Sequence, residues 1–191
     1  MSKKTLAILT IFLAILIDQA SKIYVKTHFE YQESVRVFDW FRIHFTENNG
    51  MAWGFEFGGK AGKLFLTLFR IVAVFGILYW LRSSIKRNAH TAVIVAISLV
   101  FSGAVGNIID SVFYGVIFDA PAHGTATLFA ENPYGELLYG RVVDMLYFPI
   151  YVGENFTFFN AIFNGADSFI TIGVALLFIY NKQAFPKEEK S

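Results

Sequence analysis

The sequence contains no cysteine and few charged residues, and each shortage excludes a class of protein. Without cysteine the chain can form no disulfide and no thiolate metal site, and it has no thiolate nucleophile. Charged residues make up 16% of the 191 residues, whereas a soluble domain normally contains about a quarter. The formal net charge is only +1, so nucleic acid is not an expected partner. Hydrophobic residues reach 55% and cluster in long runs, which indicates a single compact membrane unit.

Metal ligands and nucleophile pairs are also scarce. The four histidines show no His-x-x-x-His or Glu-x-x-His spacing and lie in loops or loop-like runs: His28, His44, His90 and His123. A metal site is therefore not expected. A Ser21–Lys22 dyad is disfavoured, because adjacent residues of a helix point about 100° apart.

Four apolar segments are long enough to cross a hydrocarbon core, which takes about 20 residues. They cover residues 5–24, 64–81, 91–109 and 161–180. The first could be read as a cleaved signal peptide, because Lys3 and Lys4 precede it. However, Asp18 and Lys22 occupy the region where a small-residue cleavage site would be needed, which favours a retained helix.

Basic residues near the span ends predict the orientation. Both termini and the 82–90 loop share one side and hold Lys3, Lys4, Arg82, Lys86, Arg87, Lys182, Lys187 and Lys190. The positive-inside rule therefore places both termini in the cytoplasm. Residues 27–60 contain a partly alternating, aromatic run at 34–45, which predicts short strands. Residues 115–160 are expected to be loop. The predicted fold is an all-α membrane protein of one domain, 1–191. It has four transmembrane helices, a small extracytoplasmic β-sheet and an extracytoplasmic loop or insertion.

Four aspartates lie in the spans, at their ends or beside them: Asp18, Asp110, Asp144 and Asp167. An ionisable group inside a span costs at least about 2.5–3.5 kcal/mol, so it suggests function by default. Asp18 and Lys22 are spaced i,i+4 and can form an ion pair that anchors the first helix. Asn107 with Asp110, and Asn164 with Asp167, are spaced i,i+3. Each of these pairs either contributes to one polar site or caps a helix end.

Two carboxylates held close together do not ionise together easily, so one stays protonated while the other acts as a base. Such a pair can activate water for attack on a peptide carbonyl without a metal or cofactor. Two other classes fit the polar residues as well. One is a small transporter or proton-coupled channel. The other is an assembly factor that uses Gly103 and Gly106 for close helix packing.

Five motifs, in this order, resemble those of the lipoprotein signal peptidase (signal peptidase II) family. They are Asp18-x-x-x-Lys22, residues 48–54 (NNGMAWG), residues 103–110 (GAVGNIID), residues 142–144 (VVD) and residues 163–168 (FNGADS). The resemblance implies an aspartyl endopeptidase of the bacterial inner membrane. Its substrate would be a diacylglyceryl-modified prolipoprotein, cleaved just before the lipidated cysteine. Membrane lipid is the other expected partner, and a monomer without nucleic acid or cofactor is expected.

Carried over by motif, the resemblance makes Asp144 and Asp167 the catalytic pair. The positions that would line or support the site are Asn48, Gly103, Asn107, Asp110, Asn164 and Ala166, with Asp18 and Lys22 as a structural pair. The 27–60 stretch would be the sheet that cradles the substrate. Interfacial aromatic residues, expected to anchor the protein in the membrane, are Trp40, Phe41, Trp53 and Phe55.

The sequence departs from the family pattern at two places. Ser111 stands where the family usually has arginine, which leaves the partner of Asp110 open. A stretch of about 119–140 separates the third span from the Val-x-Asp motif. Asp119 therefore competes with Asp144 for the catalytic role, and the flanking sequence favours Asp144. Because long structureless loops are uncommon, we expect the insertion to pack over the site or to contact substrate.

Overall fold

The computed structural model describes residues 1–49, 59–149, 151–152, 157–158 and 161–185. The main helices are α1 (Lys3–His28), α2 (Gly59–Lys86), α3 (Thr91–Ile109) and α5 (Gly165–Ile179). Short helices α4 (Gly115–Ile117) and α6 (Asn181–Ala184) complete the described helical part. Trp53, Phe55 and most of the predicted 48–54 motif lie outside the described residues.

Three helical segments of the described chain are long and apolar enough to cross a membrane: Lys3–His28, Gly59–Lys86 and Thr91–Ile117. Helix α5 is apolar but shorter. It begins at Gly165, so the predicted start of the fourth span at residue 161 is wrong. The cause is local, because residues 162–163 form a strand and Asn164 caps the helix that follows.

The third helix also continues further than the sequence predicts. A π-helical turn, Asp110–Tyr114, joins α3 to α4, so the expected loop does not begin at residue 115. The wider turn leaves carbonyl groups available to the returning chain. Leu138 N–H donates to the Val112 carbonyl at 3.0 Å, and Gly140 N–H donates to the Ser111 carbonyl at 2.9 Å.

A four-stranded antiparallel sheet lies beside the helices, in the order β1-β2-β3-β6. Its strands are β1 (Ser34–Phe38), β2 (Phe41–Asn48), β3 (Val142–Tyr147) and β6 (Ile162–Phe163). Strands β4 (Tyr151–Val152) and β5 (Thr157–Phe158) form a separate antiparallel pair. The short strands predicted within 27–60 are present as β1 and β2. Strand β3 was expected to be loop, but its pairing with β2 places Asp144 opposite Thr46.

Helices α3 and α5 approach closely because their contact surfaces contain glycine. A Cβ atom on Gly103 would lie 2.2 Å from the Ala166 carbonyl oxygen. One on Gly173 would lie 2.6 Å from the Ala96 carbonyl oxygen. Small residues allow helix backbones to approach in this way, which brings α3 side chains to the first turn of α5.

The 119–140 insertion packs on the face of β3 opposite Asp144. Val143 and Met145 point into a buried cluster against which Ala126, Leu128 and Tyr134 pack. Because alternate residues of a strand face opposite sides, Asp144 points away from this cluster. The described contacts of the insertion thus differ from the prediction that it packs over the site.

Candidate active site

Asp144 lies in the middle of β3 and is buried, with 4% of its surface exposed. The neighbouring strand β2 ends at Asn48, whose side-chain amide donates a hydrogen bond to Asp144 Oδ2. Val143 and Met145 pack into the cluster on the other face of the strand. The strand therefore fixes the direction of the Asp144 carboxyl, and Asn48 fixes one of its oxygens.

Asp167 lies in the first turn of α5 and belongs to a capping box. Its backbone N–H donates to Asn164 Oδ1 at 3.0 Å, and its Oδ2 accepts from the Asn164 N–H at 3.3 Å. A capping box satisfies two N–H groups that would otherwise lack partners at the start of the helix. It also fixes the Asp167 side chain relative to the helix axis.

Two asparagines connect the carboxyl groups. Asn164 Nδ2 donates to Asp144 Oδ1 at 2.8 Å and also lies 3.1 Å from Asn107 Oδ1. Asn107 Nδ2 donates to Asp167 Oδ1 at 2.9 Å. Asn164 thus contacts both aspartates directly, and Asn107 holds Asp167 from α3. The alternative that these asparagines serve only as caps is incomplete, because both also contact carboxylates.

The surroundings of Asp144 favour its protonated form. Burial, and after it the negative charge of Asp167, raise the pKa of Asp144 from 3.8 to about 7. Hydrogen bonds from Asn164 and Asn48 oppose this rise. A carboxyl with such a pKa retains its proton near neutral pH and can serve as an acid. The pair can therefore supply one acid and one base.

Behind these carboxyl groups lies a buried ion triad. The predicted pair of Asp18 and Lys22 is present, with Lys22 Nζ 2.9 Å from Asp18 Oδ2. Lys22 Nζ is also 2.9 Å from Asp110 Oδ2 and donates to Asn107 Oδ1 at 3.0 Å. Lys22 is thus the partner of Asp110 that the sequence left open. Ser111 donates to the Asn107 carbonyl at 2.9 Å.

The triad also holds the backbone next to each candidate catalytic residue. Asp110 Oδ2 accepts from the N–H of Val143, which precedes Asp144, at 3.3 Å. Asp18 Oδ1 accepts from the N–H of Ala166, which precedes Asp167, at 2.7 Å. The triad therefore does more than anchor the first helix, because it positions the two chain segments that carry the carboxyl groups.

Small residues complete the packing around the site. Ala166 is fully buried, and its carbonyl oxygen faces Gly103. A Cβ atom on Gly106 would lie 2.5 Å from Asp18 Oδ2. The close helix packing attributed to Gly103 and Gly106 in the assembly-factor alternative is therefore present, but it lies at the polar site.

The hydrogen bond of Asp119 lies within the insertion and not in the network around Asp144 and Asp167. Asp119 Oδ1 accepts from the Thr127 N–H at 2.7 Å, so Asp119 closes a turn within the insertion. Within the described part of the chain, no group of three or more His, Asp or Glu residues converges as metal ligands would. The hydrogen bonds to Asp144 come from Asn48 and Asn164, whereas the hydrogen bond to Asp119 comes from within the insertion.

Two polar residues of the site were missed in the sequence. Gln19 Nε2 donates to Asp18 Oδ2 and Asp110 Oδ1, each at 3.0 Å, and its Oε1 accepts from the Tyr114 hydroxyl at 3.2 Å. Arg70 of α2 interacts electrostatically with Asp167. Each lies in a long apolar helix, and a polar or charged residue in that setting was the signal that could have identified it.

Comparisons with known proteins identify related chains. Residues 10–182 match the peptidase A8 family, signal peptidase (SPase) II. A lipoprotein signal peptidase of Porphyromonas gingivalis is 45% identical over 182 residues, which cover 88% of this chain and 79% of that protein. One from Amoebophilus asiaticus is 32% identical over 187 residues, covering 90% of this chain and 75% of that protein.

A solved structure is similar over almost the whole chain. It is described as a bacterial membrane enzyme structure by the in meso method at 2.3 Å resolution. It superposes with a TM-score of 0.64 at 28% identity and covers 98% of this chain and 94% of its own. From the matched family and the relatives, we conclude that the chain belongs to the signal peptidase II family.

Proposed function

We propose that this chain removes the signal peptide from diacylglyceryl-modified prolipoproteins as an aspartyl endopeptidase, with Asp144 and Asp167 as its catalytic dyad. The observation that carries the proposal is the contact of Asn164 with both carboxyl groups. Its side-chain Nδ2 donates to Asp144 Oδ1 at 2.8 Å, and its backbone N–H donates to Asp167 Oδ2 at 3.3 Å. One residue thus sets the position of the two groups that the reaction requires.

In the dyad, the ionised carboxyl group acts as the base and the protonated one acts as the acid. Asp167 accepts hydrogen bonds from Asn107 Nδ2 and the Asn164 N–H, which hold its carboxyl group in place. As the base, Asp167 takes a proton from water while the water oxygen attacks the scissile carbonyl carbon. Asp144 holds the other proton and donates it as charge develops on the carbonyl oxygen. The tetrahedral intermediate then collapses: one O–H proton returns to Asp144, the peptide C–N bond breaks, and the leaving amine takes the proton that Asp167 removed from water. Neither residue forms a covalent bond to the substrate.

The polar site lies where the sheet meets the helices, which suits a scissile bond near a membrane surface. We propose four transmembrane helices, with α5 as the fourth, and both termini in the cytoplasm. The sheet and the 119–140 insertion are then extracytoplasmic, in a monomeric protein of the bacterial inner membrane. The basic residues near the span ends support this orientation.

The experiment is cleavage of a lipid-modified prolipoprotein by the purified protein in detergent. We expect Asp144→Asn and Asp167→Asn each to lower kcat at least about 100-fold while the protein stays folded. Asp119→Asn is the matched control and should retain activity, because Asp119 only closes a turn. Unmodified prolipoprotein should not be cleaved.

The outcomes separate the function from the residue assignment. If the wild-type protein leaves a verified lipid-modified substrate intact, the proposed function is wrong. If the wild type cleaves and Asp144→Asn is equally active, only the dyad assignment is wrong. Loss of activity in Asp119→Asn with retention in Asp144→Asn would move the dyad to Asp119.

A further inference from the structure

A buried lysine connects the 119–140 insertion to the sheet. Lys26, near the end of α1, has 2% of its side chain exposed and forms an ion pair with Glu47 of β2, which is 5% exposed. Its Nζ lies 5.9, 5.2 and 5.1 Å from the ring centres of Phe45, Phe118 and Tyr134, respectively. A cation enclosed by aromatic rings and paired with a carboxylate has a single favoured position.

The same cluster holds the start of β3. Arg141 donates to Glu47 Oε2 at 3.4 Å, and its guanidinium lies 5.0 Å from the centre of the Tyr134 ring. The Tyr134 hydroxyl accepts from the Arg141 backbone N–H at 2.7 Å. The insertion is also held to α1 directly, because Ala126 N–H donates to the Lys26 carbonyl at 3.2 Å.

Strand geometry relates this cluster to the dyad. Glu47 and Asn48 are adjacent on β2, so their side chains point to opposite faces of the sheet. Glu47 faces the Lys26 side, and Asn48 faces Asp144 and bonds to it. On β3, Val142 pairs with Asn48 and directly follows Arg141. Fixing Glu47 and Arg141 on one face therefore fixes Asn48 and Asp144 on the other.

We propose that the 119–140 insertion is a brace that positions the Asn48–Asp144 pair. It acts through the cluster formed by Lys26, Glu47, Tyr134 and Arg141. The proposal rests on the proposed function, because it assigns Asp144 a role in catalysis. Lys26 and Tyr134 act here as positioning residues and touch no reacting atom. The insertion thus serves the site from behind the sheet, where its described contacts lie.

The proposed brace predicts a specific change in the pH dependence of the reaction rate. The groups that act on Asp144 are Asp167 on α5, Asn164 at the start of α5, Lys22 on α1 and Asn48 on β2. The hydrogen bond from Asn48 lowers the pKa of Asp144. Displacing Asn48 weakens this hydrogen bond and therefore raises the pKa of Asp144. As a result, the alkaline limb of the pH–rate profile moves to higher pH. A change that only loosened the fold would lower the active fraction without moving the limb.

The test measures kcat, KM and the pH–rate profile of Lys26→Met, Tyr134→Phe and Asn48→Ala on a lipid-modified prolipoprotein. A misplacement of about 1 Å costs roughly 100-fold, so we expect Lys26→Met to lower kcat about 10- to 100-fold with KM nearly unchanged. Its alkaline limb should move upward, in the direction seen for Asn48→Ala. Adding Lys26→Met to Asn48→Ala should produce no further movement of the limb.

Two controls keep the test decisive. Glu136→Gln removes a carboxylate of the same insertion whose partner, Lys60, is 3.7 Å away and exposed, so it should behave as wild type. Lys26→Arg keeps the buried charge and should recover part of kcat. If Lys26→Met does not fold, Tyr134→Phe tests the same idea by removing only the hydroxyl bonded to Arg141.

Several results would overturn the brace. Wild-type kcat and an unmoved limb in folded Lys26→Met and Tyr134→Phe would do so, as would independent, additive effects of Lys26→Met and Asn48→Ala. A rise in KM with unchanged kcat would instead indicate that the insertion contacts substrate, contrary to the proposal. Failure of the proposed function is distinguishable, because the wild type would then not cleave at all.

Discussion

The contact between α3 and α5 allows a sharp test of how the helices position the site. In Gly103→Ala, the new Cβ atom would lie 2.2 Å from the Ala166 carbonyl oxygen and 2.7 Å from Ile170 Cγ1. Ordinary contact distances begin near 3.5 Å, so the helices must separate by more than about 1 Å. The hydrogen bond from Asn107 to Asp167, now 2.9 Å, would then be lost.

Two quantities should change together in Gly103→Ala. Overpacking of this kind costs about 1–3 kcal/mol in the free energy of unfolding. A displacement of about 1 Å at the dyad lowers kcat roughly 100-fold. Cleavage of a lipid-modified prolipoprotein and thermal unfolding in detergent, followed by circular dichroism, measure both.

Gly76→Ala is the matched control, because Gly76 lies in α2 and a Cβ atom there meets nothing within 4 Å. That variant should keep full activity and gain up to about 1 kcal/mol from helix propensity. Wild-type activity and stability in Gly103→Ala would refute the reasoning, since the close approach would then not position Asn107. Equal losses in both variants would also refute it, because glycine in a helix would matter only in general.

Three further predictions concern charges at the site. Because the pKa of Asp144 is raised from 3.8 to about 7, activity should fall as pH rises through about 7, where the dyad loses its acid. Its contribution to stability is present below pH 3.8, so unfolding measured against pH should show stability falling as pH rises from 3.8 to about 7 and levelling off above that. A profile flat from pH 6 to 9 would contradict this. Lys22→Met leaves two buried carboxylates without their cation and should lower the free energy of unfolding in denaturant by about 3–5 kcal/mol. The control Lys60→Met, at an exposed pair, should lower it by less than about 1 kcal/mol. Similar losses of stability in the two variants would argue against the triad. Arg70→Gln should lower kcat, because Arg70 interacts with Asp167, while Arg82→Gln at the exposed end of α2 should not; equal activity of the two variants would remove Arg70 from the site.

Local sequence patterns predicted much of the fold. The long apolar runs predicted segments that lie within α1, α2 and α3, because helix formation in an apolar segment depends on that segment's own composition. Alternation predicted β1 and β2 within residues 27–60. Helix α5 was placed four residues too early, because its apolar run includes a strand and a cap that hydropathy does not distinguish.

The candidate site was predicted as a set of residues but not as an arrangement. Motif order and chemistry identified Asp144, Asp167 and their asparagines, and the preference for Asp144 over Asp119 agrees with the hydrogen bonds of each. The catalytic assignment itself stays a prediction until the variants are measured. Arg70 was overlooked, because its place in the second span attracted no motif.

What the sequence determined by itself was the membrane character, the positions of most elements and the candidate residues, since these follow from composition and local spacing. Only the tertiary structure decided that Lys22 is the partner of Asp110, that β3 is a strand and that the insertion lies behind it. These features depend on contacts between distant residues, such as Asn48 with Asp144, 96 positions apart, and Asn107 with Asp167, 60 positions apart. No local sequence pattern predicts such contacts, because they form only when the sheet and the helices pack together.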